Sequence, residues 1–195
     1  MSVIFGIREE KRIVLAADKR TSLITGHKVS DEQEKIFEVN KKVAVTCGGN
    51  VAIETAIKME INKQVNKSTM TTDDLVSIID KFYKNLVEKK CDSIYSHTFY
   101  CLIAGTGQDG KSHLVNAGRF QTGFSANEVP AALYQPADAD QKECNEIFAK
   151  NYYTHHNEFC ERTIQEISQI SELVSPNGNK WVYNIEDAMG LMYEF

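Results

Sequence analysis

The first half of the chain alternates short apolar, β-branched runs with polar turns. Apolar runs of this length, separated by short polar turns, predict β-hairpins that are buried on at least one face. Two such hairpins are predicted, residues 3–7 with 13–17 and residues 35–39 with 43–47.

Helical spacing begins after the second hairpin. Gly48, Gly49 and Asn50 predict a tight corner from a strand into a helix starting near Val51, because glycine permits a tight backbone and Asn50 can cap the helix. A second helix is predicted from Thr72 to about residue 89, where apolar residues recur at helical spacing and two aspartates near the start suit the helix dipole. The apolar face of the first helix is expected to contain Ala52, Ala56, Ile57 and Ile61.

The second half repeats the order of strands followed by helices. Residues 98–105 and 112–116 predict a hairpin with Asp-Gly in its turn, residues 138–173 predict two helices, and residues 181–185 predict a last strand. Residues 119–137 carry no pattern that assigns them. This order predicts an α+β fold in which antiparallel sheets stack face to face with helices outside them, and the length favours a single domain, residues 1–195.

Charge and hydropathy exclude two classes of partner. The formal net charge is -5, from 22 Lys plus Arg against 27 Asp plus Glu, so no positive excess exists to neutralise a phosphate backbone, and nucleic acid is not expected as a partner. No apolar run approaches the roughly 20 residues that cross a bilayer, so no membrane association is expected. The amino terminus also lacks the pattern of a secretion signal, which favours a cytoplasmic protein.

Cysteine and histidine placement gives no reason to expect a metal or another cofactor. The five cysteines are odd in number and scattered, without a Cys-x-x-Cys pair, so neither a disulfide framework nor a zinc site is expected. His155, His156 and Cys160 could share one helical face, but nothing near them in sequence completes a tetrahedral set.

The sharpest indication of function lies in the first fifty residues. Four segments carry this indication: Ser2–Gly6, Ile13–Arg20, Lys35–Phe37 and Cys47–Gly49. Together they closely resemble the start of a proteasome β subunit, a member of the N-terminal nucleophile hydrolases. The resemblance implies a four-layer αββα sandwich, two antiparallel sheets flanked by helices, and a peptidase that assembles as a homo-oligomeric ring or stack.

The resemblance also implies a set of catalytic residues. Ser2 falls on the nucleophile, where the family has threonine, and Asp18 and Arg20 match an Ala-Asp-x-Arg element. The family lysine maps to Lys35 with one residue inserted, and the glycine whose amide forms the oxyanion hole maps to Gly49. A weaker match near the carboxyl end covers Glu172 to Pro176: the family's Asp-x-x-Ser-Gly element has Glu172 in place of Asp, keeps Ser175, and has proline in place of glycine.

The match departs from the family in one further place. The Gly-Ser-Gly segment that helps position the terminal amine is not evident, and the nearest candidate is residues 122–125. The residues implied to meet the side chain before the cleaved bond are Thr21, Gln33, Phe37, Cys47, Val51 and Thr55. Their mainly apolar to neutral lining favours a neutral or apolar side chain.

The chemistry requires these residue types. A serine hydroxyl is a poor nucleophile at neutral pH, and a free terminal amine, with a pKa of about 7.7 to 8.0, can take its proton once Met1 is removed. A Lys35 ammonium would stabilise the forming alkoxide, Asp18 would hold that ammonium charged, and the Gly49 amide would receive the oxyanion. Peptide or amide bonds are therefore the expected substrates.

Two alternatives stay open at this stage. The missing Gly-Ser-Gly segment and the changes at Glu172 and Pro176 suit a non-catalytic assembly subunit that keeps the fold. The same acyl-enzyme could also serve a small-molecule amidase or a peptide ligase, because an acyl group on Ser2 can pass to an amine as well as to water.

Overall fold

The computed structural model describes residues 2–22, 27–49, 51–89, 99–120 and 123–195. Within these residues the strands are β1 (Ile4–Arg8), β2 (Arg12–Asp18), β3 (Thr21–Ser22), β4 (Lys28–Ser30), β5 (Ile36–Asn40), β6 (Val43–Gly49), β7 (Phe99–Thr106), β8 (Ser112–Phe120), β9 (Gly123–Glu128), β10 (Ala131–Tyr134), β11 (Gly178–Asn184) and β12 (Met189–Glu194). The helices are α1 (Val51–Asn62), α2 (Thr72–Glu88), α3 (Gln141–Thr154) and α4 (Phe159–Ile170).

The strands form two five-stranded sheets and one short ribbon. The first sheet has the order β10-β1-β2-β11-β12, the second has the order β5-β6-β7-β8-β9, and β3 pairs with β4. Every pairing is antiparallel. The α+β class and both predicted hairpins of the first half are confirmed.

Three apolar cores separate four layers. The middle core lies between the two sheets and includes Leu15 of β2, Leu102 of β7 and Trp181 of β11. A second core packs α1 and α2 on the outer face of the second sheet, and a third packs α3 and α4 on the outer face of the first. Alternate residues of β2 therefore enter different cores, which explains its unbroken apolar run.

The elements that the sequence left unassigned are strands at sheet edges. Residues 119–137 contain the end of β8 together with β9 and β10, and the last residues form β12. β9, β10 and β12 each lie at the edge of a sheet. β9 is partly to fully exposed along its length, so it lacks the apolar pattern that identifies a buried strand.

The helix predictions were right in type and wrong in one detail. α2 begins with a capping box in which the Thr71 side chain accepts from the Asp74 amide and the Asp74 side chain accepts from the Thr71 amide. In α1, however, Ile53 and Glu54 are buried, whereas Ala52 is exposed. The phase of α1 is set by the corner before it, where Gly49 has a φ of 107°; the predicted cap Asn50 lies outside the described residues. None of the helices described here is long and apolar enough to span a bilayer.

A charged cluster joins the two sheets at the turn between β7 and β8. His113 of β8 lies with Nε2 2.9 Å from Asp109 and Nδ1 3.2 Å from Glu128 of β9. Glu128 also pairs with Arg8 of β1. Burial lowers the pKa of His113, but its hydrogen bond to Asp109 and the charges of Glu128 and Asp109 outweigh burial, so the pKa is raised overall.

A His113→Gln variant should therefore show a pH-dependent loss of stability. A raised pKa in the folded state means that the imidazolium stabilises the fold below the unfolded pKa of about 6.5, and that this contribution is lost as the pH rises through the folded pKa. We expect the free energy of unfolding in urea to fall by roughly 0.5–1 kcal/mol in mildly acidic buffer. In alkaline buffer the parent and the variant should converge; a deficit of equal size at both pH values would contradict the assignment.

Candidate functional site

The predicted site residues meet where strands of the two sheets end. Ser2 precedes β1 and is only 8% exposed, Asp18 ends β2, and Lys35 directly precedes β5. Because β1 and β2 are antiparallel, the start of one lies beside the end of the other, and the Asp18 amide donates to the Val3 carbonyl at 3.2 Å. The apolar pattern of the first hairpin is therefore what brings Ser2 and Asp18 to the same end of the sandwich.

Asp18 is the centre of the site. Its Oδ1 accepts from the Val3 amide at 3.0 Å and from the Lys35 ammonium at 2.8 Å. Its Oδ2 accepts from the amides of Arg20 at 2.8 Å and Ser175 at 3.4 Å. The Val3 nitrogen forms the peptide bond with Ser2, so one carboxylate oxygen contacts both the lysine and the backbone that carries the predicted nucleophile.

The ion pair between Asp18 and Lys35 crosses from one sheet to the other and is almost free of solvent. The side chains are 0% and 3% exposed, respectively. Burial raises the pKa of Asp18, and the Lys35 charge with the surrounding amides opposes this rise. Burial likewise lowers the pKa of Lys35, which the Asp18 charge opposes.

Gly49 lies at the end of β6, on the strand that pairs with the start of β5. Ile36 is opposite Thr46 in this antiparallel pair, so Lys35 emerges beside Cys47, two residues before Gly49. The φ of 107° at Gly49 is a conformation that favours glycine. The strand ends at Gly49, two residues beyond the position opposite Lys35.

Arg20 ties two loops together at the rim of the site. Its guanidinium donates to both carboxylate oxygens of Asp31, at 2.7 and 3.0 Å, and to the Glu172 carbonyl at 2.8 Å. The hydrogen bond from Arg20 holds the pKa of Asp31 at about 2. The Arg20 guanidinium thus links the Asp31 loop to the Glu172 backbone, while the Arg20 amide donates to Asp18.

The two predicted residues near the carboxyl end are placed differently from each other. Ser175 is fully buried, donates its amide to Asp18, and accepts from the Asn177 amide through its Oγ at 3.2 Å. The Glu172 side chain is exposed, and its recorded links to the site run through its backbone: its carbonyl accepts from Arg20, and its amide donates to Asp138 at 3.0 Å.

The comparison with known families covers the part of the chain that contains most of the site residues. The family model described as Proteasome subunit matches residues 2–118. The chain belongs to the proteasome subunit family. A comparison with curated proteins found no match. The matched range includes Ser2, Asp18, Arg20, Lys35 and Gly49, and it ends before Glu172 and Ser175.

The nearest candidate for the Gly-Ser-Gly segment of proteasome subunits lies at the edge of the second sheet, several strands from Gly48. Thr122 is outside the described residues, and residues 123–125 belong to β9. Ser125 lies in the cross-strand row that runs through Gly118 and Tyr100 to Gly48. At about 4.8 Å per strand, three steps place Ser125 about 14 Å from Gly48.

Several residues around the proteasome-type site were not identified from the sequence. Asp138 accepts from Ser171 Oγ at 2.7 Å as well as from the Glu172 amide, and so fixes the loop before β11. Tyr100 stacks on Tyr134 with ring centroids 3.8 Å apart. A Cβ on Gly48 would lie 2.3 Å from the Tyr100 ring, so Gly48 is needed for this packing.

The residues implied to line the substrate pocket differ in burial: Thr21, Gln33 and Phe37 are partly buried, Cys47 is buried, and two are exposed. Cys47 is buried in the core under α1, with its Sγ 3.0 Å from Cys101 Sγ on the adjacent strand. Val51 and Thr55 of α1 are exposed, and Thr21 donates to the Gln33 side chain. In this turn of α1 the buried residues are Ile53 and Glu54, and the predicted lining included neither of them.

Proposed function

We propose that this proteasome-family chain is an N-terminal serine hydrolase that cleaves peptide or amide bonds through an acyl-enzyme on Ser2. The observation that supports this most is the Asp18 carboxylate, buried between the sheets, which binds the Lys35 ammonium and the amide that follows Ser2. A purely structural ion pair has no need to be coupled to the backbone of a hydroxyl residue.

The proposed reaction begins after cleavage of the bond between Met1 and Ser2. The freed Ser2 amine takes the hydroxyl proton, and Oγ attacks the substrate carbonyl, forming the new C–O bond while the carbonyl oxygen becomes an oxyanion. Lys35 stabilises the alkoxide during attack, and the Gly49 amide donates to the oxyanion; loss of one such donor typically raises the barrier by about 2.7 to 4 kcal/mol.

Collapse of this intermediate breaks the C–N bond. The leaving amine receives the proton held by the Ser2 ammonium, and the acyl group stays on Oγ. Water then attacks the ester and gives its proton to the Ser2 amine. That proton returns to Oγ as the acid is released, which restores Ser2. A neutral or apolar residue before the cleaved bond remains the expected preference, and a homo-oligomer in the cytoplasm is the proposed setting.

A non-catalytic assembly subunit is the second candidate, and one observation favours it. The exposed side chain of Glu172 is directed to solvent rather than held in the site, although this position matches the acid of the family element. Such a subunit would keep the Asp18 and Lys35 pair for stability alone.

Mass spectrometry with a fluorogenic peptide panel tests the proposal. We expect the intact mass of the purified protein to show the chain beginning at Ser2, and a peptide amide to be hydrolysed with a transient acyl adduct that maps to Ser2. Activity from protein that retains Met1 would contradict the amine as the base. Product that gains an added amine fragment instead of water would indicate ligation, and absence of both adduct and turnover would favour the assembly subunit.

A further inference from the structure

A partly buried bridge connects α1 to the residue that precedes Lys35. Lys58 Nζ of α1 lies 2.7 Å from a carboxylate oxygen of Glu54, one turn earlier in the helix, and donates to the Glu34 carbonyl at 2.9 Å. Glu34 is joined by its carbonyl to the Lys35 nitrogen. The helix therefore holds the backbone from which the Lys35 side chain departs.

The bridge differs from an ordinary helix ion pair in its burial. The Glu54 side chain is 6% exposed and that of Lys58 is 23% exposed. On the same helix, Lys63 and Glu60 form a comparable pair whose side chains are 60% and 40% exposed. An exposed pair contributes about 0–1 kcal/mol, whereas a buried carboxylate has to be compensated by its partners. Retaining Glu54 in the core thus calls for a role beyond helix stability.

The charges around Lys35 indicate what that role is. Carboxylates act on the Lys35 ammonium from three elements: Asp18 at the end of β2, Glu54 on α1, and Asp31 in the loop before β5. Asp31 is already paired with the Arg20 guanidinium. Glu54 is likewise paired, with Lys58, so both acids add negative charge around the ammonium, and Glu54 does so from α1.

We propose that Glu54 and Lys58 are positioning residues for Lys35: Lys58 fixes the Glu34 carbonyl against α1, and Glu54 holds Lys58 there and adds negative charge around the ammonium. Their effect on catalysis rests on the proposed function, in which Lys35 stabilises the Ser2 alkoxide. Their effect on the charge state of Lys35 does not depend on it.

The test compares Glu54→Gln with Glu60→Gln, its matched control on the same helix. In protein with 13C-labelled lysine, the Cε resonance of Lys35, assigned with a Lys35→Arg variant, is followed against pH. Loss of the Glu54 charge should move the Lys35 midpoint to lower pH, because one of the charges favouring the ammonium is removed. The control should leave the midpoint unchanged. The alkaline limb of the kcat/KM profile should move in the same direction.

Lys58→Met tests the backbone contact separately. We expect kcat to fall by about tenfold or more with KM changed much less, because the lysine is displaced while substrate contacts remain. Lys58→Arg, which can still donate to the carbonyl, should restore most of the rate. Circular dichroism and thermal melts show whether Lys58→Met folds; if it does not, Glu54→Gln with its isosteric side chain carries the test.

The two hypotheses fail in different ways. A Lys35 midpoint that is the same in Glu54→Gln and in the parent overturns the positioning inference, whatever the activity. A shifted midpoint in a protein that shows neither turnover nor an acyl adduct supports the positioning of Lys35 and overturns the hydrolase proposal instead.

Discussion

Replacing Ser2 by alanine is expected to lower kcat/KM for peptide hydrolysis by about a thousandfold or more, because removal of a nucleophile eliminates the covalent route. The Ser2 side chain is small and sits before β1, so the hydroxyl can be removed without opening a large cavity. The thermal midpoint should therefore change little. The assay is hydrolysis of the best fluorogenic peptide, with intact-mass detection of the acyl adduct.

Ser2→Thr is the matched control for this prediction. Threonine keeps the hydroxyl and is the residue that the family resemblance places at this position, so we expect an active protein within about tenfold of the parent; its extra methyl group restricts the rotamer. If Ser2→Ala retains the parental rate and assembles in the same way, the nucleophile lies elsewhere or the protein acts as an assembly subunit.

Much of the site could be predicted because its residues border strongly patterned strands. β2 is apolar at every position from Ile13 to Ala17, since one face meets the other sheet and the opposite face meets helices. Such a run is visible in the sequence, and so is the polar residue that ends it, Asp18. The hairpin after Lys35 is equally clear, which is why the lysine could be assigned to a strand end.

The partners of these residues could not be predicted, because they come from distant parts of the chain. Ser175 reaches Asp18 across 157 positions, and Asp138 reaches Glu172 across 34. No local periodicity encodes such pairs. Glu54 was missed for another reason: acidic residues in a first helical turn usually face solvent, and here the corner at Gly49 turns this one inward.

Edge strands and the segment after β8 show the same limit of pattern analysis. β12 exposes Met189, Leu191 and Tyr193 on alternate positions, so its polar and apolar faces do not follow the usual rule of burial. Residues 123–125 resembled a substitute for Gly-Ser-Gly by composition alone, and pairing in β9 places them three strands from Gly48. Composition without register does not locate a residue in a sheet.

Lys35→Met should destabilise the fold by about 3–5 kcal/mol at neutral pH, because it leaves the Asp18 carboxylate buried without its cation. Asp18→Asn should have an effect of similar size, since it leaves a buried ammonium. The double variant removes both charges together and should be less destabilised than the sum of the single variants. Trp181, the single tryptophan, is fully buried between the sheets and reports urea unfolding by fluorescence.

The dependence on pH gives this prediction its sharpest test. In Lys35→Met the pKa of Asp18, already raised by burial, loses the opposing lysine charge and rises further. The folded state then binds a proton more readily than the unfolded state, so the variant recovers stability as the pH falls through the folded pKa. Lys41→Met is the control: the Lys41 side chain, paired with Glu38, is 63% exposed, so its loss should change stability by less than about 1 kcal/mol. A loss of unfolding free energy in Lys35→Met as small as that of the control would show that the buried pair does not stabilise the fold. A loss independent of pH would show that lost packing, rather than an unpaired Asp18 charge, causes the destabilisation.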